Sequence, residues 1–373
     1  MPKLVYVVTE DWYFVSHRLA LAVSAKESGY DVTVVTRCSS HKLTIEEAGL
    51  RMIPFAMNRR GLNPIGLLWE AIQLAAIYRR LQPDIVHHVA IRPIFVGAIA
   101  ARLAGIRRVA SAVAGMGYLF TGRRSGSLVG KCVKALMPFA LGRGLAIVQN
   151  PDDAATLESC GIARDCIRCI PGSGVDVDKF LPAPEPPGEP VVMMASRILW
   201  DKGVSEFIEA AELLKKSGTV ARFVLVGDPD PANPASVPVE TIQKWIKDSH
   251  VECWGHKSNM PQILPQAHIV CLPSYREGFP KILLEAMACG RACITTDVTG
   301  CREAVRHGEN GILIPAKNGQ ALADAIQMLI NSPLERARMG AKGRSMVISE
   351  FNQEAINRRT FDIYDELSKM NLQ

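Results

Sequence analysis

Two glutamates flank a short turn containing glycine and proline in the C-terminal half of the chain. The segment runs through Glu277, Gly278, Phe279, Pro280, Lys281 and Glu285. Proline suits the first position of a helix, and the N–H groups of a first helical turn bind anions with the help of the helix dipole. Glu285 would follow about one turn later, with its side chain leaning back toward the helix start. Phosphate-binding amides and two carboxylates suited to sugar hydroxyls would therefore meet, which is the combination that a nucleotide-sugar requires.

Strand-like and helix-like runs alternate along both halves of the chain. The pattern begins with the apolar runs 4–9 and 32–36 and starts again at 191–195, after a segment, 181–190, that holds five prolines. This order predicts an α/β protein with two doubly wound, Rossmann-like domains. We expect an N-terminal domain over 1–180, a stiff proline-rich linker over 181–190, a C-terminal domain over 191–350, and a closing helix within 351–373 that packs back on the first domain.

Ligands of open α/β sheets bind beyond the carboxyl ends of the strands. Two such domains are therefore expected to face each other across a cleft. Arg197 and Lys202 follow the first strand of the second domain, and His17 follows the first strand of the chain and its loop. These residues are candidates for chemistry in that cleft.

Length and composition restrict the function classes. A chain of 373 residues with 48% hydrophobic and 21% charged residues is typical of a globular protein with two domains. No apolar run reaches the roughly 18 residues of a membrane-spanning helix, and we expect no signal peptide. Cys166 and Cys169 form a single CxxC pair without a second pair, so a zinc site is not expected. Aromatic residues make up 6% and no nucleic-acid motif occurs, so nucleic acid is not an expected partner.

The charge pattern of the first half predicts an anionic partner. No acidic residue occurs between Asp84 and Asp152, a span that holds nine basic residues. Such a field attracts a polyanion or an anionic membrane, and a basic surface without a partner is the alternative. Aromatic and basic side chains together suit a membrane interface. We therefore expect the first domain to dock on a membrane through Trp12, Tyr13, Phe14, Arg123, Arg124, Lys131 and Lys134, the last two within the apolar run 129–141; an ordinary core helix with a solvated basic loop is the alternative.

A set of motifs occurs in order in the second half, at 195–203, 225–230, 254–256, 277–280, 285–290 and 310–315. This set resembles the donor domain of retaining glycosyltransferases of family four, which have the GT-B fold. The segments 16–19, 115–120 and 149–151 of the first half look like the branch that acts on polyprenyl-diphosphate-linked sugars in bacterial surface glycan assembly. The resemblance covers nearly the whole chain.

The resemblance implies roles for individual residues. Arg197 and Lys202 would neutralise the donor diphosphate, whose negative charge grows as the sugar–oxygen bond breaks. Glu277 would contact the transferred sugar and Glu285 the ribose hydroxyls. Backbone groups around Gly255, in 254–256, would hold the base.

On the acceptor side, His17 and Arg18 are acceptor or catalytic candidates, and a structural role for His17 remains open, as it does for His87 and His88. The family often has a histidine in the loop that is 112–118 here, whereas this chain has none there. Gly115 and Gly117 instead favour a close approach of the backbone to a ligand.

The predicted activity is a metal-independent, retaining transfer of a hexose or N-acetylhexosamine, from a donor that is a UDP-sugar, to a polyprenyl-diphosphate glycan. The aspartates of Asp228-Pro-Asp230 are flanked by prolines, and the cations already supply positive charge, so no metal or other cofactor is expected. The expected location is cytoplasmic, on the inner face of the cell membrane. A sugar-nucleotide 2-epimerase of the same architecture and a non-catalytic nucleotide-sugar-binding subunit remain alternatives.

Overall fold

A computed structural model describes residues 1–58, 64–113, 128–231, 233–248 and 250–370. Its chain divides into two compact units. The first comprises residues 1–173 together with 356–373, and the second comprises 174–355. The last helix of the chain therefore begins in the second unit and continues in the first.

The first unit is built on a parallel sheet of seven described strands. The strand order is β3-β2-β1-β4-β5-β6-β7. The strands are β1 (Lys3–Glu10), β2 (Asp31–Arg37), β3 (Arg51–Pro54), β4 (Ile85–Val89), β5 (Val109–Ala112), β6 (Gly144–Val148) and β7 (Ile167–Cys169). The described helices are α1 (Asp11–His17), α2 (Leu19–Glu27), α3 (Lys42–Glu47), α4 (Pro64–Leu81), α5 (Ile91–Ala104), α6 (Leu128–Leu141) and α7 (Pro151–Ser159).

Successive side chains of β1 point to opposite faces of this sheet, and each face is covered by helices. Tyr6 and its alternate neighbours pack with α1, α2 and the last helix of the chain. Val5 and Val7 point the other way and pack with α4 and α5. Both faces are covered, which explains why the strands read as nearly continuous apolar runs.

The second unit has a parallel sheet of six described strands in the order β10-β9-β8-β11-β12-β13. The strands are β8 (Val191–Ala195), β9 (Arg222–Val226), β10 (Glu252–Cys253), β11 (Ile269–Leu272), β12 (Ala292–Thr296) and β13 (Gly311–Ile314). Its described helices are α8 (Val204–Lys216), α9 (Val239–Lys247), α10 (Met260–Ile263), α11 (Lys281–Ala288), α12 (Cys301–Ala304), α13 (Gly319–Asn331) and α14 (Pro333–Glu350). The chain ends with α15 (Gln353–Lys369).

The proline-rich segment, predicted as a stiff linker between the two domains, is part of one of them. It lies within the second unit, whose boundary falls earlier, at Gly174. Buried Arg291 donates to the carbonyls of Ala183 and Pro184 at 2.7 and 3.0 Å. The guanidinium of Arg336 forms a two-pronged ion pair with Glu185, with the shorter contact at 2.8 Å. Proline stiffness does place this segment outside helix and sheet, but hydrogen bonds to its free carbonyls attach it to the unit.

Candidate active site

A one-turn 3₁₀ helix, Trp200–Lys202, positions the side chain of Lys202 in the second unit. It follows β8, and the loop after β11 holds it in place because the backbone N–H of Tyr275 donates to the carbonyl of Asp201 at 2.9 Å. Gly203 ends the turn with φ +77°, and a Cβ there would lie 2.0 Å from the carbonyl oxygen of Pro273. Only glycine permits this backbone approach, so Lys202 is held against the end of the neighbouring strand.

Lys202 and Glu277 meet at the carboxyl edge of this sheet. The ammonium nitrogen of Lys202 lies 2.6 Å from a carboxylate oxygen of Glu277. Only 20% of the lysine side chain and 12% of the glutamate side chain are exposed. Two oppositely charged groups held so close, and largely shielded from water, attract each other strongly. Two residues that the sequence analysis assigned separately, one to the diphosphate and one to the sugar, thus contact each other directly.

The loop around Glu277 is shaped by a second close backbone approach. The N–H of Glu277 donates to the carbonyl of Thr299 at 3.1 Å. A Cβ on Gly300, which has φ +85°, would lie 2.5 Å from the carbonyl oxygen of Glu277 and 2.7 Å from that of Gly278. The loop after β12 therefore supports the Glu277 loop through the glycine at position 300, which the sequence interpretation did not identify.

Glu285 lies on α11 and is nearly fully buried, with 8% of its surface exposed. Burial raises the pKa of its carboxyl above the usual range, although the ammonium of Lys281, 3.3 Å away, acts in the opposite direction. The helix begins at Lys281, so Pro280 is the N-cap and not the first helical residue as predicted. Phe279 is buried in the apolar core with its ring 5.3 Å from that of Phe351, and it anchors the loop.

Arg197 has a carboxylate partner in this structure. Its guanidinium donates to Asp230 at 2.9 Å, and 43% of its side chain is exposed. The ion pair explains the second aspartate of Asp228-Pro-Asp230, because that residue binds a cation of the chain. Asp228 in turn accepts the N–H of His256 at 3.2 Å.

The backbone of residues 254–256 is partly occupied by the fold. The N–H of Trp254 donates to Leu225 at 2.9 Å, and the carbonyl of Gly255 accepts the N–H of Gly227 at 2.9 Å. With the N–H of His256 bound to Asp228, three polar groups of this segment are already used. Only the other backbone N–H and carbonyl groups of 254–256 are therefore left to bind the base of a nucleotide, as the sequence analysis expects.

The aromatic residues after β1 differ from the prediction of an exposed membrane patch. They belong to α1, where Phe14 is fully buried in the core and Trp12 and Tyr13 are half-buried. The ring of Tyr13 stacks on that of His17 at a centroid distance of 4.3 Å. A helical period turns the third aromatic inward, so these residues do not form one exposed cluster.

A recess at the carboxyl edge of the first sheet brings together residues that are distant in sequence. Arg18, His87, Gln149 and Thr360 line it. Arg18 is 7% exposed and His87 1% exposed. Within the described residues, neither Nε of Arg18 nor Nε2 of His87 has a hydrogen-bond partner.

Two tyrosines define the state of His87. Its Nδ1 lies 2.7 Å from the hydroxyl of Tyr364, which lies 2.8 Å from the hydroxyl of Tyr6. Burial, with Arg18 and His88 adding to it, holds the pKa of His87 well below its usual range, so the ring is neutral at pH 7. If each hydroxyl donates toward Nδ1, both hydroxyl protons are satisfied and Nε2 carries the ring proton. The recess then presents two N–H donors, Arg18 Nε and His87 Nε2.

His88 has a structural role. Its Nε2 is 2.8 Å from the hydroxyl of Tyr78, both residues are fully buried, and burial lowers the pKa of His88 to about 3. The helix α6 holds Lys131, which is exposed, and Lys134, which is half-buried. The predicted residues Gly115, Gly117, Arg123 and Arg124 lie outside the described residues.

In the described ranges of the chain, no group of three or more His, Cys, Asp or Glu side chains is arranged to hold a metal ion. Of the helices in the described ranges, none is both long and apolar enough to cross a membrane.

Comparison with known proteins identifies the family of both units. The family described as Glycosyl transferase 4-like matches residues 3–144, and Glycosyl transferases group 1 matches residues 178–346. The chain is 28% identical over 369 residues to N,N'-diacetylbacillosaminyl-diphospho-undecaprenol alpha-1,3-N-acetylgalactosaminyltransferase of Campylobacter jejuni, covering 94% of this chain and 95% of that one. It is 27% identical to UDP-Gal:alpha-D-GlcNAc-diphosphoundecaprenol alpha-1,3-galactosyltransferase of Escherichia coli, covering 77% of each chain.

The fold has a close counterpart among solved structures. Anabaena HepE in complex with UDP-glucose superposes with a TM-score of 0.81 at 18% identity, covering 99% of this chain and 100% of that one. Both units of the chain thus match transferase families, and both have the parallel-sheet, Rossmann-like architecture of GT-B enzymes. The chain belongs to the glycosyltransferases, with a glycosyl transferase 4-like first half and a group 1 second half.

Proposed function

We propose that this glycosyltransferase moves a hexose or N-acetylhexosamine from a UDP-sugar to a polyprenyl-diphosphate-linked glycan, with retention at the anomeric carbon. The observation that carries the proposal is the contact of 2.6 Å between Lys202 and Glu277 at the edge of the second sheet. The activities for which the two relatives are named support the lipid-linked acceptor, and the UDP-glucose complex of HepE supports the donor.

Donor binding would exchange the partners of this ion pair. A diphosphate oxygen would replace the carboxylate of Glu277 on Lys202, and Glu277 would then accept hydrogen bonds from hydroxyls of the sugar. Arg197 is exposed enough to turn from Asp230 to the same diphosphate. Without the donor, Lys202 and Glu277 would compensate each other's charge, because an unpaired charge shielded from water is costly. The bound donor would then supply both residues with new partners.

The transfer step would use these cations most in the transition state. The acceptor hydroxyl oxygen forms a bond to the anomeric carbon while the bond from that carbon to the diphosphate oxygen breaks and its electron pair stays on the diphosphate. The acceptor proton passes to a departing phosphate oxygen on the same face, which leaves the anomeric configuration unchanged. Because negative charge grows on the leaving group, Lys202 and Arg197 lower the barrier more than they strengthen substrate binding.

On the acceptor side, we propose that the recess of Arg18 and His87 binds an anionic or hydroxyl oxygen of the acceptor. Two buried N–H donors that have no hydrogen-bond partner among the described residues suit such an oxygen. With the hydroxyl of Tyr364 donating to Nδ1, His87 would carry its proton on Nε2 and would donate a hydrogen bond to that oxygen. His17 remains the candidate for a direct catalytic role at this end of the first sheet.

The test is an assay with a panel of UDP-sugars and a short-chain polyprenyl-diphosphate glycan. We expect a lengthened glycan, UDP release that requires the acceptor, an α-linked product by NMR, and no loss of activity in EDTA. Conversion of a UDP-sugar to its 2-epimer without acceptor would instead establish the epimerase alternative. Binding of UDP-sugar with no turnover of any donor would establish the non-catalytic alternative.

We further propose that the protein docks peripherally on the inner face of the cell membrane through its basic first unit. Flotation of the wild-type protein with phosphatidylcholine vesicles that contain phosphatidylglycerol tests this point. Absence of binding to such vesicles at low salt would remove it.

A further inference from the structure

The proline-rich segment 181–190 contributes one wall of a pocket in the second unit. This pocket, called here the Trp254 pocket, has a volume of about 280 Å³, and its lining includes Pro186, Pro187, Val191, Arg222, Trp254 and Gln266. Val191 begins β8 and Arg222 begins β9, so the pocket lies toward the amino edge of the sheet. Lys202 and Glu277 lie at the carboxyl edge, and neither of them lines the pocket.

Hydrogen bonds on both sides hold the proline wall in place. Before the wall, Arg336 forms its two-pronged ion pair with Glu185. After it, Nδ1 of His268 accepts the backbone N–H of Val191 at 2.9 Å. Nε2 of the same ring therefore carries the proton, and it donates to the carbonyl of Pro186 at 3.0 Å. The wall is thus fixed before a ligand binds, which lowers the entropic cost of binding.

An indole ring and a fork of charged side chains offer two kinds of contact in the Trp254 pocket. The Nε1–H of Trp254 donates to the carboxylate of Glu252 at 3.1 Å. Arg222 donates to both oxygens of that carboxylate at 2.7 Å, and these hydrogen bonds hold the pKa of Glu252 below its usual range. A guanidinium has five N–H donors, so this fork leaves others for a ligand.

The charges around the pocket disfavour an anionic ligand. Arg222 is paired with Glu252, and Glu189 adds a second carboxylate to the lining. Two carboxylates against one guanidinium would repel a phosphate, so neither a nucleotide nor a lipid phosphate fits. A sugar ring does fit, because its C–H face can lie on the indole of Trp254 while its hydroxyls bond to Arg222 and Glu189.

We propose that the Trp254 pocket binds one neutral or N-acetylated pyranose residue of a glycan. Its volume is close to the lower end of small-molecule sites, about 300–1,000 Å³, which suits a single sugar ring. The bound sugar is one that does not react, since the pocket lies at the other edge of the sheet from Lys202 and Glu277. The inference rests on the proposed function for the kind of ligand, but binding at the pocket does not require transfer.

The test follows the indole N–H signals of the ¹⁵N-labelled full-length protein. The chain has five tryptophans, and Trp254→Phe identifies the signal of Trp254 by its loss. The probes are methyl glycosides of glucose, galactose and their N-acetylamino sugars at up to about 50 mM, with UDP present throughout to occupy the donor site. We expect at least one probe to shift the Trp254 signal saturably and to leave those of Trp12 and Trp69 in place. If no probe shifts it, the inference is wrong.

A matched pair of arginine substitutions tests the polar side of the pocket. Arg222→Ala should weaken binding of the active probe about tenfold, because it removes the guanidinium donors. Arg306→Ala is the control, since Arg306 is also 44% exposed and is also paired with a glutamate, Glu350, at 2.7 Å in the same unit. It should bind the probe like the wild type. Equal affinity of the two variants would contradict the assignment of Arg222.

The outcomes separate this inference from the proposed function. A protein that transfers sugar to the lipid-linked acceptor, but whose Trp254 signal no probe shifts, would keep the proposed function and lose the pocket. A protein that transfers no sugar, but whose Trp254 signal shifts with a probe, would lose the proposed function and keep the pocket. A Trp254 signal that moves with protein concentration and not with any probe would show that a second copy of the chain covers the pocket, and it would overturn the inference.

Discussion

The carboxyl edges of the two sheets carry their polar residues in different ways. In the second unit, Lys202 and Glu277 follow two adjacent strands and meet at 2.6 Å. In the first unit, His87 meets Tyr364, which lies 277 residues further along the chain, and the predicted aromatic patch is divided between core and surface. Short motifs after successive strands therefore reveal a site whose parts are loops of one sheet, whereas a site completed by a distant helix leaves no local pattern.

The largest expected effect concerns the aromatic residue that the sequence placed at the membrane. Phe14→Ala should lower the free energy of unfolding by about 3–5 kcal/mol, because it removes a fully buried ring from the core of the first unit. Urea unfolding measures this loss. Trp12→Ala, at a half-buried position of the same helix, is the control and should cost clearly less.

Vesicle binding tests whether Phe14 is a core residue and not a membrane contact. The folded fraction of Phe14→Ala, at a temperature well below its melting point, should bind vesicles like the wild type. If Phe14→Ala were as stable as the wild type and bound vesicles more weakly, Phe14 would be a membrane contact and not a core residue.

The second prediction concerns the ion pair of the second unit. Lys202→Ala should lower turnover about 100- to 1,000-fold, since it removes a cation from the departing diphosphate. It also leaves the shielded carboxylate of Glu277 without its partner, so some loss of stability is expected as well. UDP release with acceptor present measures the rate, and Lys216→Ala, at the exposed end of α8, is the control. Turnover within a few-fold of wild type would mean that Lys202 pairs with Glu277 for stability only.

The third prediction asks whether the hydroxyl chain of the first unit is structural. Tyr364→Phe removes the group between the Tyr6 hydroxyl and His87 Nδ1 and should cost about 1–3 kcal/mol of stability. Tyr30→Phe is the matched control, because its ring lies 6.0 Å from that of Tyr364 in the same core. Binding of UDP, by calorimetry, should be unchanged in both. Equal stability of the two variants would show that the hydroxyl chain contributes nothing to the fold.

Much of the architecture could be predicted because its signals are local. The apolar runs that form β1 and β8 each begin a series in which strands alternate with helices. This alternation indicated two parallel sheets. The turn at Lys202 follows β8, and the loop at Glu277 follows β11. These two strands are neighbours in the sheet, so their carboxyl ends lie together. The proline-rich segment was misread because proline content reports backbone stiffness, while the attachment of that segment by Arg291 and Arg336 depends on side chains more than a hundred residues away.

The exposed face of α4 could not be found from the sequence for a related reason. Ile65, Leu68, Trp69 and Ile72 are apolar like the buried residues of the same helix, and nothing in the sequence pattern tells which of the two apolar faces meets the sheet. Similarly, the histidines of β4 looked alike in sequence. Their alternation along the strand sends His88 to Tyr78 and His87 to the recess with Arg18.

The smallest expected effect concerns Glu285, where stability and function should move in opposite directions. Burial raises the pKa of this carboxyl in the folded protein, so the ionised form at pH 7 is less favourable there than in the unfolded chain. Glu285→Gln should therefore be at least as stable as the wild type at pH 7, by up to about 1 kcal/mol, while binding UDP-sugars more weakly. As pH falls through the raised folded value toward the ordinary one, the wild type gains a proton preferentially when folded, so its deficit should shrink. Thermal melting of both proteins between pH 7 and pH 4 measures this trend, and a variant that is less stable at every pH would show that the contact with Lys281 outweighs the cost of burial.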